Sequence, residues 1–208
     1  MPMSRNPTPL IEKRRQEILD AFLKLFCTRR FNEIHIKMIS EETSFTRATI
    51  YNYFKNIDEI FVSAYQKEYI AWAEDLGLIL SGHQQLTHEE LALLIAESLS
   101  HRELMLRFSL ENFREREANC RREFIFDHKA AFGRVIDLMH DILIRYCPEK
   151  SEEDVLRCLY IFFPFMHGMY RYIDLTPLVR EARDAVNIRL KDSNVRDLAY
   201  SALLQILK

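Results

Sequence analysis

Thr46-Arg47-Ala48-Thr49-Ile50-Tyr51-Asn52-Tyr53-Phe54-Lys55-Asn56 is the stretch whose reading decides the fold. Thr46 can accept an N–H bond from the first turn of a helix beginning behind it. On that helix Phe45, Ile50 and Phe54 turn inward, while Arg47, Ala48, Thr49, Tyr51, Asn52 and Lys55 share the outer side. The outer side offers two cations, a hydroxyl, a phenol and an amide without a carboxylate. That set suits a polyanion better than a packed core.

Upstream, Ile18, Phe22, Leu25 and Phe26 recur at helical spacing between Lys13 and Arg29, and a shorter segment over Ile36–Thr43 turns Ile36 and Ile39 to one side. Three short helices inside the first 55 residues form the arrangement of a helix-turn-helix. Downstream, Asn56 and Glu59 predict a reciprocal cap for a helix from Ile57 towards Leu80, and Thr87 with Glu90 predicts another. Further helices are expected at about 88–99, 101–115, 118–146, 151–173 and 193–207. Thr176-Pro177 adds a possible start between 177 and 190.

The chain has 208 residues, 48% of them apolar, enough for a buried core. Its 4 glycines begin at Gly77, so no phosphate-cradling loop can lie in the first third. No proline falls between Pro9 and Pro148, which favours long helices and an all-α fold. Residues 1–58 hold ten basic against seven acidic side chains and the rest 19 against 24, a basic front on an acidic body. Residues 1–9 contain three prolines with Ser, Asn and Thr, so a flexible arm is expected over 1–12. Neither a leader nor a membrane span is expected, since the longest apolar run, Cys158 to Met166, is 9 residues, and a cytoplasmic location follows. The four cysteines show no zinc spacing. Among His128, His140 and His167, only Asp137 with His140 shares a helix face, so neither metal nor cofactor is expected.

The run Ile18-Leu19-Asp20-Ala21-Phe22-Leu23-Lys24-Leu25-Phe26, then Phe31, Ile39 and the T-I-Y-N-Y-F-K sequence of 49–55, resembles the TetR family of transcriptional regulators over residues 13–65. The resemblance implies a helix-turn-helix DNA-binding domain at 13–58 and an effector-binding and dimerisation domain at 59–208. It also implies a homodimer on double-stranded DNA with a palindromic operator, more often a repressor than an activator. Arg47 and Asn52 become candidates for base edges, with Ala48 and Thr49 as apolar or hydroxyl contacts. Lys37, Tyr51 and Lys55 become candidates for phosphate, and Thr46 belongs to the same surface. Arg30 and Ser44 stand where the family commonly has glycine, and would be strained by about 1 kcal/mol if those sites need positive φ. His35 replaces a usual threonine cap.

The segment 158–172 is apolar all round, and the resemblance makes it a dimer helix paired with the last helix through Leu198, Leu203, Leu204 and Leu207. Pro164 should bend it and Gly168 should allow a close approach. Phe108, Phe113, Phe124, Phe132, Met139, Phe163, Phe165, Met166 and Tyr170 are candidates for a pocket taking an apolar or aromatic small-molecule effector, or else for ordinary core. Two rival functions stay open: a helical protein-interaction adaptor without operator recognition, and a helical enzyme, although no nucleophile–base–orienter set is visible.

Overall fold

The computed structural model describes residues 9–208. These residues form helices and connecting turns, with no strand among them. The first helix, α1 (Pro9–Thr28), begins four residues ahead of Lys13 and takes in the end of the expected arm. Proline is tolerated there because its missing N–H would have no partner in a first turn. Residues 1–8 of that arm lie outside the described residues.

A 3-10 turn (Phe31–Glu33) follows, then α2 (Ile36–Glu41), α3 (Arg47–Tyr51) and α4 (Ile57–Gly82). Gly77 does not weaken α4 enough to end it. The remaining helices are α5 (His88–Ser100), α6 (Glu103–Phe108), α7 (Phe113–Ala118), α8 (Arg122–Tyr146), α9 (Glu152–Met169), α10 (Pro177–Ala185) and α11 (Val195–Ile206). The single helix expected over 101–115 is thus two. Thr46, Thr87, Ser151 and Thr176 each accept an N–H bond at the start of their helix, and Thr87–Glu90 closes the expected reciprocal cap. Arg30 has φ −75° and Ser44 is not in the left-handed region; among non-glycine residues described, only Asn187 is. The expected strain at these two sites is therefore absent. His35 precedes α2 without a side-chain cap bond.

The described residues group into two compact units. One comprises those up to Lys67 together with Asn112–Lys129. It extends past the expected boundary at residue 58 because Phe61 packs edge-on against Phe22, Phe26 and Phe31, the last with ring centroids 5.0 Å apart. Residues 112–129 add Phe124, whose ring lies 5.8 Å from that of Phe54, with the Arg15 guanidinium over both rings.

The other unit comprises Glu68–Glu111 and Ala130–Lys208. Here α11 lies chiefly along α5 and also meets α9. Leu203 and Leu207 are buried within this unit, while Leu198 and Leu204 are half-buried. Trp72 is fully buried and donates from its indole N–H to the Ser98 hydroxyl at 3.1 Å. Arg102 donates twice to Asp75, at 2.6 and 2.8 Å, and once to the Ala71 carbonyl. α9 runs unbroken through Pro164. Within this chain nothing crowds Gly168: an added Cβ would meet nothing within 4 Å. No helix among the described residues is long and apolar enough to cross a membrane.

Candidate nucleic-acid interface and ligand hollow

Two buried side chains hold α3 from beneath. Ile50 and Phe54 have no exposed surface, and Phe45 is half-buried. The opposite side therefore faces outward: Thr46, Arg47, Ala48, Asn52 and Lys55 are exposed, Thr49 is half-buried, and Tyr51 keeps 55% of its surface. The helix is shorter than the sequence suggests. It ends at Tyr51, with Asn52 as its C-cap and a turn after it, so Lys55 lies beyond the helix. Thr49 is tied to the cap: its N–H reaches the Thr46 hydroxyl oxygen at 3.2 Å, and the two hydroxyls are 3.0 Å apart. Tyr53, rather than Tyr51 or Asn52, packs back on α1, its hydroxyl accepting from Arg14 at 3.3 Å. Lys37 is exposed on α2, 3.8 Å from Glu41 one turn on, a pair of little energetic weight.

Two carboxylates fix this surface: Glu17, which the sequence did not single out, and Glu59, which it gave another role. Glu17 of α1 accepts both the N–H and the hydroxyl of Ser44 at 2.8 Å, fastening the α2–α3 turn to α1. Those bonds hold its carboxyl below the usual range. Glu59, fully sealed, accepts from the Lys55 N–H at 2.6 Å, from the Arg121 N–H at 3.1 Å, and from the Arg121 guanidinium at 2.8 Å through each oxygen. It is thus not the reciprocal cap of Asn56. Asn56 accepts the Glu59 N–H, while its own amide donates to the Asn119 carbonyl. Arg121 also donates to the Tyr53 carbonyl at 3.1 Å, so residues 119–121 clasp the segment that follows α3. Asp58 accepts from Asn119 at 2.8 Å. No local pattern announces the contacts of Asn119 and Arg121, whose partners stand 61 to 68 residues away.

Cys120 lies beside this clasp. Burial, with the charges of Asp58 and Glu59, pushes its thiol up to about 12, and burial lifts Cys147 to about 11. Such thiols stay protonated near neutral pH unless a bound metal ion displaces the proton.

The nine pocket candidates are divided between the two units. Phe113 and Phe124 belong to the first unit, where Phe113 stacks on His128 at 4.7 Å. In the second unit Phe132 and Phe163 meet edge-on at 5.4 Å, flanked by Tyr69, Trp72 and His167, and the Tyr69 hydroxyl is 2.8 Å from His167 Nε2. Phe108, Met139, Met166 and Tyr170 are buried in the core. Phe165 alone of the nine lines an open hollow of about 800 Å³, together with Met169, Leu175, Val179, Leu190 and Leu198. Arg171, Arg183 and Lys191 contribute the cations of its wall, and Arg183 is held by Asp192 at 2.7 Å. Much of this wall comes from residues 179–190, within the stretch 177–190 expected only as a possible helix.

The family model described as "Tetracyclin repressor-like, C-terminal domain" matches residues 66–207. The fatty acid degradation regulator FadR from Bacillus halodurans is similar in structure, with a TM-score of 0.60 at 10% identity over 98% of this chain and 97% of that one. SmeT, the repressor of the Stenotrophomonas maltophilia multidrug efflux pump SmeDEF, gives 0.51 at 19% identity over 83% and 86%. At these identities the likeness concerns the fold. No curated protein matches the chain.

Proposed function

Because the chain belongs to the TetR family of transcriptional regulators, we propose that it is a cytoplasmic, homodimeric repressor that binds a palindromic operator and is released from it by an apolar small molecule. The observation that carries this reading is the outward side of residues 46–55, free of carboxylates and set on the sealed Ile50 and Phe54. A guanidinium pairs bidentately with guanine and an amide with adenine, so Arg47 and Asn52 read bases. Ala48 and the methyl of Thr49 meet thymine. Thr46, Tyr51, Lys55 and Lys37 hold phosphates, which position the reading helix without carrying sequence.

Dimerisation follows from α9. Leu156, Tyr160 and Ile161 leave 43%, 80% and 51% of their surface exposed on a helix whose other sides are buried. A two-fold partner presenting the same patch would cover it. For the effector, the hollow walled by Phe165, Leu175 and Leu190 supports an apolar ligand. Such a ligand weakens operator binding only insofar as it prefers a conformation in which the two reading helices are wrongly spaced.

Selection of bound fragments from a random duplex library tests the reading. A palindrome is expected. On the selected site Arg47→Ala costs about 1–3 kcal/mol and relaxes preference at one base position, whereas Lys55→Ala weakens all sequences alike and lowers the salt slope by about one. Unchanged affinity in a mobility-shift titration of Arg47→Ala would overturn the assignment.

A further inference from the structure

His88 opens α5, and Cys147 and Glu149 stand two residues apart on the turn between α8 and α9. The turn is tight: the Cys147 N–H donates to the Leu143 carbonyl, the Lys150 N–H donates to the Cys147 carbonyl, and Pro148 restricts the backbone between the two side chains. Folding brings His88 across to it. Its Nε2 lies 3.1 Å from a Glu149 carboxylate oxygen, and the imidazole, thiol and carboxylate donor atoms all lie within 4.8 Å of one another. Cys147 has no exposed surface, His88 is half-buried and Glu149 is exposed, so the cluster runs from the interior of the second unit to the solvent.

We propose that His88, Cys147 and Glu149 form a binding site for a zinc ion, with the fourth position open to water. Ligands of one tetrahedral zinc ion sit at about 2.0–2.3 Å from it, so they lie about 3.3–3.8 Å apart. Donor atoms spanning up to 4.8 Å must therefore contract by about 1 Å to hold the ion. The exposed Glu149 carboxylate and the half-buried His88 ring supply this contraction by changing rotamer. A thiolate and an imidazole select zinc over magnesium or calcium, which take oxygen donors. The ion must displace the thiol proton, and in return it cross-links the start of α5 to the α8–α9 turn, positions 59 residues apart along the chain.

The full chain, stripped with a chelator and titrated with Co²⁺ as a spectroscopic stand-in, tests the site. One equivalent is expected to give a near-ultraviolet thiolate-to-cobalt absorption that Zn²⁺ bleaches and Mg²⁺ does not. Cys147→Ser should abolish the band. His88→Ala and Glu149→Gln, both at solvent-accessible positions, should weaken Zn²⁺ binding at least about tenfold in competition with a chromophoric chelator. Zn²⁺ should also raise the melting temperature of the wild type but not of these variants. No cobalt band, a band that survives Cys147→Ser, or one lost instead in Cys27→Ser or His140→Ala would overturn the proposal. Because these readouts use no DNA, they stand or fall separately from operator binding.

Discussion

A carboxylate removed from water costs several kcal/mol unless donors replace the lost solvation. Glu59 meets that condition with four donors: two backbone N–H groups and the two arms of the Arg121 guanidinium. Burial pushes its carboxyl up, but the Arg121 bond and the backbone bonds outweigh burial and leave it below its ordinary value. A depressed carboxylate contributes stability that is complete above the unfolded value, about 4.3, and is lost as the pH falls through the folded one. Glu59→Gln should therefore destabilise the chain at neutral pH and flatten its acid limb. The loss should be about 1–3 kcal/mol, less than for a fully buried pair, since Arg121 is 43% exposed. Urea denaturation of both proteins at about pH 7 and about pH 4 checks this; equal losses at the two pH values would mean that Glu59 is not ionised in the fold. Operator affinity should fall as well, because the same carboxylate holds the Lys55 N–H and, through Arg121, the Tyr53 carbonyl.

At the level of elements, what the sequence made legible was local. The stripe of α1, the caps at Thr46, Thr87, Ser151 and Thr176, and the inward set Ile50 and Phe54 depend on residues within one or two turns of each other. The end of α3 at Tyr51 was not legible, because the backbone after it is held by Glu59 and Arg121. Nor was the break between α6 and α7, next to which the Ser109 hydroxyl donates to the His167 carbonyl 58 residues away. The two sources of kinship are complementary: the quoted resemblance lies at 13–65, while the family model matches 66–207, where the sequence showed only length and helical character. Ser44 separates two accounts of the α2–α3 turn. If serine were strained in place of glycine, Ser44→Gly would stabilise the chain. With φ outside the left-handed region and the hydroxyl bound to Glu17, it should instead destabilise by about 1 kcal/mol, through the lost bond and the freer unfolded chain. Thermal unfolding of Ser44→Gly gives the sign, and a rise in melting temperature would favour strain.

At the scale of the assembled molecule, if α3 reads DNA as proposed, the affinity of one such helix is limited by its length. Five helical residues rise about 7.5 Å, enough to present only a few side chains to one groove. A palindrome read by two such helices gains through effective concentration, provided that the subunits hold them at a fixed spacing. On the proposed reading, operator binding is tied to the apolar side of α9, where Tyr160 exposes 80% of its surface beside Leu156 and Ile161. In a two-fold interface each substitution enters twice, and a carboxylate set near its own symmetry mate loses hydration and meets a like charge. Tyr160→Glu should therefore convert the dimer to monomers in sedimentation equilibrium while leaving the helical circular dichroism unchanged, since the side chain packs on little within its own subunit. Duplex binding should then fall steeply on the full palindrome and only slightly on a single half-site. A dimer that persists in Tyr160→Glu and in Leu156→Glu would assign the contact to another surface, whereas monomers that still bound the palindrome with full affinity would show that the two reading helices act independently.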